Sequence, residues 1–196
     1  RVSSFDRLRN LPAIFRGADL TIRCQWSSKT ASQYLYRWKQ NGLVDALGGH
    51  SDVYANLLAT RAPNWELALR IAMPSAVIVG IDALRRAGWT TQIPTRTQVA
   101  VNAALPVYKT DRFDVLLRSP KWFELVRDAI HRPAGDALPI LHPAWALADL
   151  LREADWGEFG LWPDDLELSA LTKQDQVAWR RACKAFGLNE LLLPIT

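Results

Sequence analysis

Apolar positions recur first with helical and then with strand spacing through the opening sixty residues. Between Ser28 and Gly42, the residues Ala31, Leu35 and Trp38 fall at i, i+4 and i+7, one face of a helix. The opposite face carries Lys29, Ser32, Gln33 and Tyr36, with Thr30 and Arg37 on its flanks. Ser27 or Ser28 offers an N-cap, and Gly42 stands where a helix ends in a left-handed residue. Before this helix, residues 18–24 predict a shorter one with Leu20, Ile22 and Cys24 directed inward and Trp26 packed in the following turn. After Gly42 the period drops to two. Residues 43–47 and 52–57 read as strands joined by the glycine-rich connection Gly48-Gly49-His50-Ser51. Two short helices and a hairpin, from Asp19 to Leu57, form the pattern of a winged helix-turn-helix.

On either side the pattern is more mixed. Residues 3–16 predict a helix on Leu8, Leu11 and Phe15, kinked or restarted at Pro12. Residues 58–64 are short, polar and proline-bearing, which suits a linker. Beyond it, Asn64 caps a helix over 65–72, and Pro74 restarts a second over 75–87 that Gly88 ends. Strands are expected at 98–103, 112–118 and 139–141, and helices at 122–130, 144–154 and 172–186. Residues 155–171 are irregular with aromatic anchors. The fold class is therefore α+β: an N-terminal winged helix-turn-helix over 1–60, followed by a mixed α/β domain over 64–196.

Composition sharpens this picture. Nearly half the residues are apolar and nine are tryptophan, which requires packed cores rather than disorder. No apolar run reaches the length of a membrane span and no signal-peptide layout opens the chain, so a cytoplasmic protein is expected. Cys24 and Cys183 stand far apart without neighbouring His or Cys, and read as two free thiols. Charge is unevenly spread. Residues 1–62 carry a net +5, residues 63–134 a net +4 and residues 135–196 a net −5. A basic front and an acidic back suit a chain that grips nucleic acid with one end.

The candidate chemistry is that of DNA recognition. Lys29 and Arg37 are placed to take phosphates or a guanine edge, and Ser32 and Gln33 to meet base edges, with Ser28 and Thr30 beside them. At the hairpin tip, Gly48 and Gly49 permit close approach to a phosphate backbone that His50 or Ser51 would reach. Tyr34 and Trp38 lie near the apolar stripe and are assigned to the core. Catalytic constellations are poor. His50, His131 and His142 are scattered, without a nucleophile in a recognisable setting. The pair Asp164-Asp165 has the chemistry to hold Mg²⁺, but after Trp162-Pro163 it reads as a turn cap, so neither metal nor cofactor is expected. A winged helix used purely for protein docking, and a hydrolase or nuclease delivered to DNA by it, remain alternatives.

One set of residues carries a family resemblance. The segment Leu67 to Met73, then Pro74-Ser75-Ala76, Ala83-Leu84, Gly88 and Gln92-Ile93-Pro94, follows the winged-helix pattern and linker. It resembles the AbiEi-type antitoxins of type IV toxin–antitoxin (abortive infection) systems. The run His142-Pro143-Ala144-Trp145-Ala146-Leu147-Ala148-Asp149-Leu150-Leu151 is similar to that family's "Pro-x-x-Ala-Leu-x-Asp-Leu-Leu" helix. The resemblance covers roughly residues 10–155 and fades beyond, leaving Asp164 and Asp165 without a counterpart. It implies a transcriptional autorepressor whose winged helix binds operator inverted repeats in double-stranded DNA, as a monomer or homodimer. It also implies an antitoxin action of the C-terminal domain against a nucleotidyltransferase-like toxin, without a stable complex being required. By position, the DNA-facing residues would be Lys29, Thr30, Ser32, Gln33 and Arg37, with Gly48–Ser51 as the wing. A stand-alone regulator of a mobile element, with no toxin, is the alternative within the same class.

Overall fold

The computed structural model describes residues 2–195. They form a mixed α+β chain with two sheets, divided into two compact units. The first comprises residues up to 74 together with 106–112 and 135–137; the second comprises 75–105, 113–134 and 138 onward.

In the first unit, helix α1 (Ser4–Arg9) starts under Ser3, whose hydroxyl accepts the Asp6 N–H at 3.1 Å. It stops at Asn10, two residues before Pro12. The helix expected through residue 16 gives way to strand β1 (Ile14–Arg16), because Pro12 bars helical continuation and Ile14 and Phe15 find a strand partner. Helix α2 (Gly17–Arg23) and helix α3 (Ser28–Gln40) follow, then β2 (Val44–Ala46) and β3 (Val53–Asn56). The sheet runs β1-β3-β2, antiparallel throughout, with Phe15 opposite Tyr54 and Asp45 opposite Ala55.

One core joins all these elements. Leu8, Leu11, Phe15, Leu20, Cys24, Ala31, Leu35, Trp38 and Val44 are buried together, with Trp26 stacked on Tyr34 at a centroid separation of 4.3 Å. Ile22, expected to face inward, is 77% exposed, since the core side of so short a helix is filled by Leu20 and Cys24. Asn56 is the polar tie. Its buried Nδ2 donates to the Leu8 and Leu11 carbonyls at 2.8 and 3.1 Å, satisfying the backbone where α1 ends. Helix α4 (Trp65–Ala72), capped by Asn64, packs on β1 and β3. The first compact unit thus reaches beyond the expected linker at 58–64, to residue 74.

The second unit is built on a five-stranded sheet of order β6-β5-β4-β8-β7. The strands are β4 (Val77–Val79), β5 (Thr97–Asn102), β6 (Phe113–Arg118), β7 (Ile130–His131) and β8 (Ile140–Leu141). β5 and β6 are parallel, as are β4 and β8; the other pairs are antiparallel. The helix expected over 75–87 is in fact strand β4 followed by helix α5 (Gly80–Arg86). Three consecutive β-branched residues, Val77, Ile78 and Val79, are buried in the middle of the sheet, where such side chains fit better than in a helix.

Helix α6 (Pro120–Val126) is shorter than expected, with residues 127–129 forming a 3₁₀ turn before β7. Helix α7 (Pro143–Glu153) packs on α5 and on helix α8 (Lys173–Phe186), which Gly187 ends in the left-handed region. At the heart of α7, Asp149 is 2% exposed. It accepts hydrogen bonds from Trp122 Nε1 at 2.9 Å, Arg118 at 3.1 Å and Arg152 at 3.1 Å. The buried Asp82 of α5 is held similarly by Arg85, Arg86 and Thr97. Burial alone would raise its pKa, but those hydrogen bonds and the Arg86 charge hold it below the ordinary carboxylate value. No helix among the described residues is long and apolar enough to cross a membrane.

Candidate nucleic-acid interface

Helix α3 is the first component. Ser27 caps it, its Oγ accepting the Thr30 N–H at 3.1 Å, and its Ala31, Leu35 and Trp38 are buried as the apolar spacing requires. Ser28, Lys29, Ser32, Gln33, Tyr36, Arg37 and Lys39 are exposed. The helix contains no carboxylate, and among the described residues Lys29, Arg37 and Lys39 form no ion pair. Arg37 lies over the Tyr34 ring at 5.8 Å from its centroid. Two expected contact residues are partly engaged within the helix. Thr30 is half-buried with its Oγ1 paired to Ser27 Oγ at 2.9 Å, and Ser32 Oγ donates to the Ser28 carbonyl at 2.9 Å.

The hairpin turn is the second component, and here the structure corrects the sequence. Gly48, Gly49, His50 and Asp52 all have positive φ, at 98°, 64°, 60° and 59°. That backbone turns Ser51 inward: it is 3% exposed rather than standing at the tip, and its Oγ is buried without a hydrogen-bond partner. Gly49 does permit a close approach, but of this chain's own backbone. A Cβ there would run into the Lys109 carbonyl. His50 remains exposed.

Residues 106–112 fix the hairpin from one side. Thr110 Oγ1 donates to the Leu47 carbonyl at 2.7 Å, and Arg112 pairs with Asp45 at 2.6 Å while lying 3.6 Å from the Trp65 ring centroid. Their role had no signature in spacing, because this short segment is distant in sequence and irregular.

Helix and turn meet along one cleft of about 420 Å³. Ser32, Tyr36 and Lys39 line it from α3, and Gly48 through Tyr54 line it from the hairpin. Lys39 and Asp52 were not singled out from sequence. Lys39 lies three residues beyond Tyr36 and seven beyond Ser32, so helical spacing does place it on their face. Tyr54, half-buried here, has its phenol pKa raised by burial and by the nearby Asp52 charge.

The second unit carries two clefts of its own, of about 440 and 590 Å³, both lined by Asp128, Ala129 and His142. His142 accepts the Ala144 N–H on Nδ1 at 3.1 Å, capping α7, and its Nε2 lies 3.4 Å from Asp175. Asp165 accepts the Trp162 N–H at 2.8 Å as a turn cap, and Asp164 is exposed. No group of three or more His, Cys, Asp or Glu is gathered for a metal among the described residues. Cys24 and Cys183 are buried free thiols; burial, with a contribution from Glu190, pushes Cys183 up to about 11.

Comparison with known proteins adds a likeness of architecture. The chain is similar to the crystal structure of the RV2827C protein from Mycobacterium tuberculosis, with a TM-score of 0.56 and 16% sequence identity, over 95% of this chain and 78% of that one. The likeness is one of fold. No family model matches the chain, and no curated protein matches it.

Proposed function

We propose that the first unit is a winged helix-turn-helix that binds double-stranded DNA. In this reading the chain is a transcriptional autorepressor and the antitoxin of a type IV toxin–antitoxin system. One observation carries the DNA reading: α3 exposes Lys29, Gln33, Arg37 and Lys39 with no carboxylate among them, while its other side is locked into the core. The element order α1-β1-α2-α3-β2-β3 supports it, because β1 pairs with the hairpin and stiffens it beside the helix. A helix of this length spans about 20 Å, enough to lie along the major groove. There Lys29 and Arg37 would neutralise phosphates or take a guanine edge, and Gln33 would read an adenine.

The antitoxin half rests on the resemblance of residues 67–94 and 142–151 to AbiEi-type proteins. Those stretches now appear as packed elements, α4, β4, α5 and α7, with Ala144, Leu147 and Leu151 buried. The partner would be a nucleotidyltransferase-like toxin countered without a required stable complex.

The test is binding of the purified protein to its own upstream DNA, against a scrambled duplex, across a salt series. Selective binding with a steep salt slope is expected, since phosphate neutralisation dominates affinity. Equal, weak binding to both duplexes would remove the reader. Co-expression with the neighbouring gene tests the antitoxin half: growth should be rescued, and no rescue would leave a stand-alone regulator.

A further inference from the structure

The sheet of the second unit ends on two strands of very different length. At one edge, β7 is only Ile130–His131, short enough to offer little to another chain. At the other, β6 runs from Phe113 to Arg118 in unbroken parallel register with β5, from Thr97 opposite Phe113 to Asn102 opposite Arg118. It has no proline, lysine or bulge, the usual devices that keep a sheet edge from pairing.

The β5–β6 ladder defines which side of β6 is open. The Arg118 carbonyl accepts the Ala103 N–H at 2.9 Å, so the backbone groups of Asp114, Leu116 and Arg118 point to β5. Those of Val115 and Leu117 therefore point away from the sheet. Among the described residues their N–H groups meet no loop or side chain. The Leu117 carbonyl takes one bond, from Arg118 Nη1 at 3.2 Å, and keeps a second lone pair. Leu117 is 56% exposed, Val115 and Leu116 are half-buried, and Asp114 is exposed. An open row of backbone donors and acceptors among apolar side chains is a template for a further strand.

We propose that β6 pairs antiparallel with β6 of a second copy about a two-fold axis at Leu116, giving a homodimer with one sheet continuous through both copies. The strand's own sequence selects both the occupant and the register. Antiparallel geometry sets outward residues opposite outward residues, so the strands can slide only in steps of two. With the axis at Leu116, Val115 and Leu117 exchange backbone bonds across the interface. Leu116 meets its counterpart, and Asp114 stands opposite Arg118. A slide of two residues loses that opposition of charge. A slide of four sets Asp114 against Asp114 or Arg118 against Arg118, and like charges directly opposite destabilise a strand pair. Within each copy Asp114 lies 3.9 Å from Arg96, and Arg118 is held by Asp149. The opposed charges therefore choose the register, while the backbone bonds and the leucines hold it. A two-fold pairing also uses both long edges at once and leaves only β7 at either end. It stands on the second unit alone, apart from the DNA reading.

The test uses the full chain without DNA. Sedimentation should show a monomer–dimer equilibrium that moves with concentration. Val115→Pro removes an outward N–H and no bond to β5, at a position where an edge strand accepts proline. It should be monomeric, with an unchanged circular dichroism spectrum. Asp114→Lys, at an exposed position, sets a lysine opposite Arg118 and should weaken dimerisation about tenfold with the melting temperature unchanged. Oxidative cross-linking reads the register. Leu116→Cys should form an intermolecular disulfide, because a directly opposed non-hydrogen-bonded pair stands about 4.5 Å apart at Cα. Leu117→Cys should not, because its counterpart lies two residues along the opposing strand, about 7 Å further on. Cys24 and Cys183 are buried, so the wild type gives an uncross-linked baseline.

A wild type that sediments as a monomer at every soluble concentration, with Leu116→Cys uncross-linked, would overturn the pairing and leave the edge to a strand of another chain. A dimer that persists in Val115→Pro would sink it too, because the interface would then lie elsewhere. Should proline disturb the strand itself, the two cysteine variants decide the matter without it. Cross-linking of Leu117→Cys in preference to Leu116→Cys would disprove the register.

Discussion

Asp52 holds the start of helix α2. Its side chain accepts the Ala18 N–H at 3.1 Å and its carbonyl accepts the Gly17 N–H at 3.0 Å, so the hairpin turn caps a helix more than thirty residues upstream in the chain. Gly17 leaves room for this, because a Cβ there would strike the Asp52 carboxylate. Asp52→Ala should cost about 0.5–2 kcal/mol, the range for a lost N-cap, with a further penalty for alanine at φ 59°. Asp52→Asn should lose much less, since asparagine retains an acceptor and tolerates the left-handed region. Urea unfolding checks both, and equal midpoints for the two variants would show that the cap contributes nothing.

Leu35 tests the core beneath the exposed face of α3. It is 7% exposed within the cluster shared by α1, α2, α3 and β2. Leu35→Ala should cost about 2–5 kcal/mol, the transfer and cavity penalty of a buried leucine. The loss should register as a lower midpoint in thermal or urea unfolding. An unchanged midpoint would contradict the packed stripe.

Arg37 tests the surface of the same helix. It is exposed and makes no ion pair among the described residues, so its loss should leave the fold intact. Arg37→Ala should weaken DNA binding by about 1–3 kcal/mol, with circular dichroism and melting temperature unchanged. Undiminished affinity would remove Arg37 from the interface.

The contrast between Leu35 and Arg37 marks what was legible in the sequence. Helical spacing identified both faces of α3, because one amphipathic helix is a local object whose period survives in the chain. The strands of the hairpin were readable for the same reason. The Val77–Val79 strand was not, since a central strand buried on both faces shows a continuous apolar run that a buried helix also shows. Strand β1 hid behind Leu8, Leu11 and Phe15, whose spacing mimics a helix across Pro12. The inward turn of Ser51 depends on left-handed φ at His50 and Asp52, neither a glycine, and on a clamp from residues 106–112. Such long-range support leaves no periodic trace.

Asp149 gives the second unit its own test. Three donors meet its buried carboxylate, from Arg118, Trp122 and Arg152. Asp149→Ala leaves the largely buried Arg118 guanidinium and the Trp122 N–H facing an empty space, while Arg152 keeps Glu153 at 2.8 Å, and should cost about 3–5 kcal/mol as a broken buried ion pair does. Asp149→Asn keeps the Trp122 bond and should lose less. Near-ultraviolet dichroism, to which Trp122 contributes as one of nine tryptophans, should change more in the alanine variant than in the asparagine one. Equal stability of wild type and Asp149→Ala would show that the cluster is not a stabilising one.

His142 gives a pH dependence with a defined sign. Burial pushes its pKa below the ordinary histidine value, against the opposing pull of Asp175. Its Nδ1 must also stay unprotonated to accept the Ala144 N–H and cap α7. A folded pKa below the unfolded one means that the folded state binds fewer protons. The contribution to stability is therefore present above about pH 6.5, the unfolded histidine value, and is lost as pH falls through the lower folded value. The Asp82 carboxylate, also depressed, acts in the same direction but in the more acidic range of carboxylates, so the two separate. Melting temperature measured from about pH 7 to pH 5 should decline in the wild type. His142→Asn retains a capping side chain without a titrating one, and should decline less over that window. Parallel curves for the two proteins would show that the pH dependence arises elsewhere.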